Sequence, residues 1–225
     1  MNEICKLVDF HAHILPCADH GSASIETTLF QLASAKKCGV ERIIATPHFY
    51  PHIHTVDEFV ARRDLAYAEM VSRADSSPLV RLGAEALICN GIENLPGLER
   101  LFVSGTNVLL LELPFNDFQR EYVSSVYEMI KSGVEVVLAH AERYPSENIE
   151  QMIGVGAKIQ LNAIAFRSAY KKKPYYKWLC DGVVVALGSD IHGMDKNAYP
   201  DFKKACSRLG ELLIPIVEFS EKIWI

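Results

Sequence analysis

The chain alternates short, almost wholly apolar runs with longer amphipathic segments, and this alternation limits its fold more than any other feature. Strands with no polar face are covered on both sides, as in parallel sheets flanked by helices. Seven runs have this composition: Leu7–Phe10, Arg42–Ala45, Val80–Leu82, Val108–Leu111, Val134–Leu138, Lys158–Leu161 and Val183–Leu187. The segments between them predict five helices: Ser24–Cys38, Thr55–Ser72, Arg120–Ser132, Glu147–Val155 and Tyr199–Leu209. Regular β–α alternation therefore predicts an α/β fold built on a parallel sheet.

The helix ends and the lack of linkers indicate how these units are organised. Ser24 precedes the first helix as a capping residue and Gly39 follows it, while Thr55 and Glu58 have the spacing of a capping box. No repeat or Pro/Gly-rich linker interrupts the pattern, so we expect a single domain over residues 1–225. An incomplete or distorted (β/α) barrel is favoured, and an open doubly wound sheet is the alternative.

The composition excludes several classes of protein. With 28 acidic and 23 basic residues, the net charge of -5 argues against a nucleic-acid or anionic-membrane partner. No run of about 18 apolar residues and no basic, apolar leader occurs, so we expect neither a membrane span nor a secretion signal. The six cysteines form no C-x-x-C pair, which excludes zinc-finger spacing and a redox dithiol. We expect a protein of the reducing cytoplasm whose cysteines are small core residues.

Histidine and acidic residues follow six of the seven predicted strands. The carboxyl ends of parallel barrel strands meet on one face, where active sites are built. In His11-Ala12-His13 and in Asp190-Ile191-His192, alternation sends both polar side chains to the same side. Imidazole nitrogens and carboxylate oxygens suit zinc, manganese or iron. The sequence therefore predicts a metal centre from eight strand-end residues: His11, His13, His48, Glu85, Glu112, His140, Asp190 and His192.

In their order along the chain, these motifs resemble those of the polymerase and histidinol phosphatase (PHP) superfamily. The segments Leu15–Gly21, Ile44–His48 and Ala139–Tyr144 are most similar to those of the manganese-dependent tyrosine phosphatases of bacterial capsule and exopolysaccharide operons. The resemblance extends from residue 7 to about residue 210. It implies a distorted (β/α)7, TIM-like barrel with three metal ions, most readily manganese, with iron, zinc or magnesium as alternatives.

The resemblance assigns the ligands position by position. Nine residues match ligand positions of the family: His11, His13, His20, His48, Glu85, Glu112, His140, Asp190 and His192. The first site matches His11 and His13 with Glu85 and Asp190, and Glu85 bridges to a second site with Glu112 and His140. The third site matches His48 and His192, and its last ligand, usually an aspartate, is His20 here.

The resemblance also implies how phosphate is bound. Arg143 matches the phosphate-binding arginine, and we expect it to act in catalysis with His140 and Asp190. The position of a second phosphate-binding arginine corresponds to Tyr199, and we expect nearby Lys196 to supply a point charge to the substrate. A hydroxide activated by the cations would attack phosphorus in line, while an arginine fork stabilises the developing charge.

These features favour a phosphatase that acts on a phosphotyrosine protein, namely the tail of a tyrosine kinase that controls polysaccharide export. The alternatives are a small-molecule phosphatase, for example for histidinol phosphate, a metal-dependent amidohydrolase, and a binding scaffold without activity. Glu112 stands where an amidohydrolase usually has a carboxylated lysine. An oligomer is compatible with the sequence.

Further residues have both a substrate-binding and a structural interpretation. Aromatic residues could wall a cleft for an aromatic substrate or pack in the core: Phe49, Tyr50, Phe115 and Phe118. His52 and His54 could contact substrate or lie in a solvated loop. The basic run Lys171–Lys173 could attract an acidic peptide or be simply solvated.

Overall fold

A computed structural model describes residues 8–224 as one parallel sheet surrounded by helices. The strands are β1 Val8–Ala12, β2 Arg42–Ala45, β3 His48–Phe49, β4 Leu79–Leu82, β5 Glu85–Leu87, β6 Val108–Glu112, β7 Glu135–Leu138, β8 Lys158–Asn162 and β9 Val184–Gly188. The helices are α1 Ile25–Cys38, α2 Val56–Arg73, α3 Arg120–Lys131, α4 Ser146–Gly154, α5 Tyr175–Cys180, α6 Ala198–Leu209 and α7 Ile214–Ile223.

Two broken strands curl the sheet into a distorted barrel. The strand order is β3-β5-β6-β7-β8-β9-β1-β2-β4, and every pairing is parallel. β2 pairs with β4 while β3 pairs with β5, and backbone hydrogen bonds from Gly83 N to Ala45 O and from Glu85 N to Pro47 O continue this contact across the breaks. Segments 42–49 and 79–87 therefore act as two composite strands, which leaves seven strands with two neighbours each.

The predicted elements agree with this architecture, with particular exceptions. All seven predicted strands are present within two residues of the observed ends, apart from Leu7, which lies outside the described residues. β3, β5, α5 and α7 were not predicted from the sequence. β3 and β5 have two and three residues and each begins with a charged or polar side chain, so neither is an apolar run.

Local sequence determines where the principal helices begin and end. Ser24 Oγ accepts a hydrogen bond from Thr27 N at the start of α1, and Gly39 adopts a left-handed conformation at its end. Thr55 and Glu58 form the complete capping box of α2, as their spacing predicted. These caps fix the two helices that follow β1 and β3, whose carboxyl ends carry the first predicted ligands.

An apolar layer fills the barrel beneath the strand ends. Val108 and Leu110 of β6 belong to one buried cluster with Phe10 and with Phe219 of α7. The rings of Phe10 and Phe219 lie 5.8 Å apart, so α7 closes the barrel at the end opposite the polar residues. Because side chains alternate along a strand, Glu112 points to the same side as Leu110. The polar cluster therefore rests on a packed hydrophobic floor.

The cysteines only partly follow the expectation of core positions. Cys206 is buried, and Cys38 and Cys89 are half-buried. Cys17 and Cys180 are exposed, so the prediction is wrong for these two, while Cys5 lies outside the described residues. None of the helices in residues 8–224 has the length and apolar character needed to cross a membrane.

Candidate metal centre

The carboxyl ends of the strands bring the predicted ligands into one cleft. The cleft has a volume of about 430 Å³, and ten residues line it: His20, His48, Tyr50, Glu85, Glu112, Phe115, His140, Arg143, Asp190 and His192. His11 and His13 lie fully buried beneath this surface. The nine residues predicted as ligands are therefore neighbours in the fold, although they span 182 positions of sequence from His11 to His192.

Four of these side chains converge at the bottom of the cleft. His11 Nε2 lies 3.0 Å from His13 Nε2 and 3.1 Å from Glu85 Oε2. Asp190 Oδ1 lies 3.6 Å from His11 Nε2 and 3.4 Å from His13 Nε2. Metal–ligand bonds of about 2.1 Å place neighbouring donor atoms about 3.0 Å apart in an octahedral site and about 3.4 Å apart in a tetrahedral one. The observed spacing fits a single cation at this position.

Glu85 joins this group to the rest of the cluster. Its Oε1 lies 2.8 Å from His140 Nε2, and its Oε2 lies 2.9 Å from His48 Nδ1. Glu112 faces the same two histidines, at 3.6 Å from His140 and 3.9 Å from His48. Because His48 and Glu85 are register partners in β3 and β5, their side chains emerge next to each other. A carboxylate with a histidine near each oxygen is suited to bridge two cations.

A third group of histidines lies at the rim. The donor atoms of His13, His48 and His192 lie within 4.8 Å of one another, so these three histidines form a group that could hold a metal ion. The exposed ring of His20 stacks at 4.8 Å on the rings of both His48 and His192. This ring therefore lies beside the group, and its role as the remaining ligand stays a prediction.

Several buried polar atoms of the cluster have no hydrogen-bond partner among the described residues. They are Glu85 Oε2, His48 Nδ1 and His140 Nδ1. Buried polar atoms are normally satisfied, because leaving one unpaired costs about 1–3 kcal/mol. Glu85 Oε2 and His48 Nδ1 are close enough to interact but not oriented as donor and acceptor. Metal coordination would satisfy them, so this donor set fits bound cations.

The buried carboxylates draw protons onto neighbouring histidines. Burial disfavours the ionised form of Glu85, but the charge of His11 and the close imidazoles of His11, His13 and His140 hold the pKa of Glu85 well below its usual range. Burial also disfavours the charged form of His11, yet the carboxylates of Glu85 and Asp190 raise the pKa of His11 to about 9. The site therefore requires positive charge, which divalent cations would supply in place of these protons.

Other members of the cluster are held neutral. Burial and the charge of Glu85 raise the pKa of Glu112 to about 8. Burial and the charge of His13 lower the pKa of His192 to about 4, and burial lowers the pKa of His140. His140 and His192 therefore keep free nitrogen lone pairs at neutral pH, which metal binding requires.

The cleft and its fold can be compared with those of known proteins. A family model described as capsular polysaccharide synthesis, CpsB/CapC, matches residues 7–212. The chain belongs to the CpsB/CapC family. It is 25% identical over 204 residues to the tyrosine-protein phosphatase CpsB of Streptococcus pneumoniae, across 84% of each chain. It is 28% identical over 139 residues to the tyrosine-protein phosphatase YwqE of Bacillus subtilis, across 61% of this chain and 55% of YwqE.

A solved structure of this family has the same fold. It is one of the crystal structures of YwqE from Bacillus subtilis and CpsB from Streptococcus pneumoniae, described as metal-dependent tyrosine phosphatases. The TM-score is 0.76 at 21% sequence identity, and the match covers 96% of this chain and 95% of the other. The likeness confirms the distorted barrel that the motifs of this CpsB/CapC chain predicted.

Arg143 lies at the cleft edge in this CpsB/CapC protein. It belongs to the short 3-10 helix Ala141–Arg143 that follows β7, and its guanidinium hydrogen-bonds Asp190 Oδ2. The side chain is 38% exposed, so its remaining N–H groups are accessible from the cleft. This placement agrees with the predicted contact to a substrate phosphate.

The two other positions considered for phosphate binding lie away from the cleft. Tyr199 is completely buried on α6, and burial together with the Asp9 carboxylate raises the pKa of its phenol well above the usual value. A side chain buried in the core cannot reach a substrate, so Tyr199 does not take the place of the second phosphate-binding arginine in this chain. Lys196 is exposed but is not among the residues that line the cleft.

Sequence reasoning missed the residues that hold the ligands in place. Asp19 Oδ2 accepts hydrogen bonds from His13 Nδ1 at 2.6 Å and from His48 N at 3.0 Å, and Asp19 Oδ1 accepts one from Gly21 N. A carboxylate on the far nitrogen of a ligating histidine fixes its tautomer and directs the other nitrogen to the metal. Asp19 therefore positions His13 rather than competing for a cation.

A second supporting chain runs through β8. Gln160 Oε1 lies 3.2 Å from His11 Nδ1 and accepts a hydrogen bond from His140 N. Asn162 Nδ2 donates to Asp190 Oδ2 at 2.9 Å. The available sequence signal was a polar Gln160 between Ile159 and Leu161 in a predicted strand, because a buried amide must have partners.

Backbone conformations at the site are also unusual. His140 and Asp190 adopt positive φ values of 32° and 51°, which non-glycine residues rarely do. Such strain persists where the surrounding structure over-determines it, commonly at functional sites. At Gly188, a Cβ atom would lie 2.6 Å from His11 Cβ and 2.5 Å from Gln160 Nε2. Only glycine lets β9 approach β1 closely enough to deliver Asp190.

Proposed function

We propose that this chain is a metal-dependent protein-tyrosine phosphatase that acts in capsular or exopolysaccharide synthesis. The observation that carries this proposal is a single cleft containing nitrogen and oxygen donors from six strand ends together with one arginine fork. Clustered imidazoles and carboxylates suit multinuclear metal sites that hydrolyse phosphoesters. Membership in the CpsB/CapC family and relatives named tyrosine-protein phosphatases support the same reaction.

The metal centre would hold three ions, most readily manganese. One site is formed by His11, His13, Glu85 and Asp190. A second uses Glu85 with Glu112 and His140, and the third uses the rim histidines: His20, His48 and His192. Bound cations would activate a water molecule and offset the charge of the phosphate.

Other side chains bind and orient the substrate. Arg143 donates its free N–H groups to phosphate oxygens, while its hydrogen bond to Asp190 keeps the guanidinium turned toward the cleft. Burial of the cluster excludes bulk water and thereby strengthens its electrostatic interactions with a bound phosphate. We therefore expect Arg143, His140 and Asp190 to act together in turnover.

Two aromatic side chains favour phosphotyrosine over a small aliphatic phosphate. Tyr50 and Phe115 line the cleft, and Phe115 is 63% exposed beside it. Phe49 is instead fully buried, and Phe118 packs against the core. The rings of Phe115, which is exposed, and Tyr50, which is half-buried, can contact the phenyl group of phosphotyrosine by offset or edge-to-face stacking. The protein substrate in this proposal is the tail of a bacterial tyrosine kinase, in a reducing cytoplasm consistent with five free described cysteines.

Turnover of matched substrates tests this function. A phosphotyrosine peptide and histidinol phosphate would be compared in manganese, with a chelator and His140→Ala as controls. We expect manganese-dependent hydrolysis of the peptide that both controls abolish. Hydrolysis of histidinol phosphate alone would reassign the metal site to a small-molecule phosphatase. Hydrolysis of neither substrate by metal-loaded protein would contradict phosphatase activity.

A further inference from the structure

A second and larger cavity opens on the same barrel face as the metal cleft. Its volume is about 620 Å³, within the range of roughly 300–1,000 Å³ typical of ligand sites. Segment 51–58, between β3 and the first turn of α2, forms one wall, and segment 95–97 with Arg100 forms the other. We call this cavity the lateral groove.

The lateral groove exists because one crossover lacks an α-helix. The connection from β5 to β6 contains only the 3-10 helices Ile92–Asn94 and Leu98–Leu101. These two short 3-10 helices cover far less of the barrel wall than the helices on either side, α2 and α3. The ring of helices is therefore open at this point, on the face where βα loops build binding sites.

A row of rings connects the lateral groove to the metal cleft. His48 lines the cleft, and its ring stacks on that of Tyr50 at 5.2 Å. Tyr50 is in turn 5.9 Å from the ring of His52, which lines the lateral groove. Tyr50 therefore lies between the metal cleft and the lateral groove.

The chemistry of the lateral groove suits an uncharged segment of polypeptide. Its apolar lining includes Ile53, which is 56% exposed, and Leu95. Its charged groups are already engaged, because Asp57 pairs with Arg100 and Glu58 closes the capping box of α2. Exposed apolar surface beside a functional cleft is typical of an interaction site.

We propose that the lateral groove binds the polypeptide that flanks the phosphorylated tyrosine of the substrate, with an apolar side chain against Ile53. This inference rests on the proposed phosphatase function and adds a determinant of substrate selection. An extended chain advances about 3.3 Å per residue, so the two ring-to-ring steps correspond to about three residues from the phosphotyrosine. Contacts at that distance contribute binding energy only for long peptides, because small phosphate esters end inside the cleft.

Substrates of different length distinguish binding in the lateral groove from catalysis in the metal cleft. The probes are p-nitrophenyl phosphate, a peptide with a single residue on each side of phosphotyrosine, and a longer peptide. The longer peptide carries about six alanine and leucine residues on each side, enough to span the lateral groove at about 3.3 Å per residue. The variant is Ile53→Asp, with Ile53→Ala as a milder second change. Leu65→Asp is the matched control, because Leu65 is 73% exposed on α2 and does not line the groove.

We expect Ile53→Asp to lower kcat/KM for the long peptide by about tenfold, the effect of losing one buried aliphatic contact, without changing turnover of the other two probes. Ile53→Ala should lower it less, and Leu65→Asp should not change it. Equal losses on all three probes, or no loss on the long peptide, would overturn the groove while leaving the phosphatase intact. Wild-type protein that binds metal but hydrolyses none of the probes would instead overturn the proposed function and this inference with it.

Discussion

Replacing Asp19 by asparagine should weaken metal binding while the barrel stays folded. Asp19 carries no predicted metal bond, but its two oxygens accept three hydrogen bonds, from His13 Nδ1, His48 N and Gly21 N. Asparagine has the same shape but only one oxygen. Its amide group cannot accept from all three donors, so at least one of them loses its partner.

The expected losses of metal affinity and of folding stability follow from the two kinds of donor that Asp19 accepts from, a histidine side chain and backbone N–H groups. Loss of the carboxylate behind a ligating histidine costs about 10–100-fold in metal affinity, which is about 1.4–2.8 kcal/mol. A buried backbone N–H left unpaired costs about 1–3 kcal/mol of folding stability. For a chain of this length, a loss of that size lowers Tm by about 2–4 °C for each kcal/mol. Most of the protein should therefore remain folded at room temperature.

Titration of manganese into Asp19→Asn and wild-type protein would measure the change in Kd. Circular dichroism would establish that the variant is folded, and Asp75→Asn serves as the control because the Asp75 side chain is 86% exposed. We expect a Kd raised about 10–100-fold for Asp19→Asn and an unchanged Kd for the control. A folded Asp19→Asn protein with the wild-type Kd would refute the positioning role of Asp19.

Three further perturbations test separate parts of the site. Arg143→Ala should lower kcat/KM for a phosphotyrosine peptide by about 100-fold or more with metal content retained, and steady-state kinetics showing no loss would remove Arg143 from phosphate binding. Gly188→Ala should lower the free energy of unfolding by about 1–3 kcal/mol, because the new methyl group overlaps His11 and Gln160. An unchanged midpoint of denaturant unfolding would contradict this prediction. Because the pKa of His11 is raised from 6.5 to about 9, its proton stabilises the metal-free fold fully below about pH 6.5 and progressively less as the pH rises to about 9. Metal affinity should therefore rise with pH over this window, and metal binding at pH 7–8 should release protons. Calorimetry in buffers of different ionisation enthalpy measures this release. The absence of proton release would argue against His11 as a ligand.

The ligands could be predicted because barrel geometry collects strand ends that are distant in sequence. His11, Glu112 and Asp190 each follow an apolar run, and parallel pairing of those runs leaves no other place for their side chains than one face. This reasoning needs only the order of the strands and the direction of the chain. It succeeds without any detail of packing.

The features that could not be predicted from the sequence depend on the direction in which a side chain points and on contacts between segments that are distant in sequence. The spacing between Asp190 and Tyr199 in the sequence is that expected of a phosphate-binding residue, but the side chain of Tyr199 on α6 points into the core. The sequence indicates only that Asp19 is a loop residue, whereas in the fold Asp19 hydrogen-bonds His13 and the backbone of β3. The composite strands were missed because Pro47 and Gly83 break them into pieces too short to carry a periodic signal. In each case the deciding contact joins segments that no local pattern relates.

The central claim is that the cleft holds a cluster of metal ions in contact with the predicted ligands. X-ray diffraction from crystals grown with manganese, recorded on both sides of the manganese absorption edge, would locate the ions directly. We expect three anomalous peaks: one among His11, His13 and Asp190, one between Glu85 and His140, and one beside His48 and His192. Anomalous peaks that are absent from the cleft, or that lie only at surface carboxylates, would contradict the account.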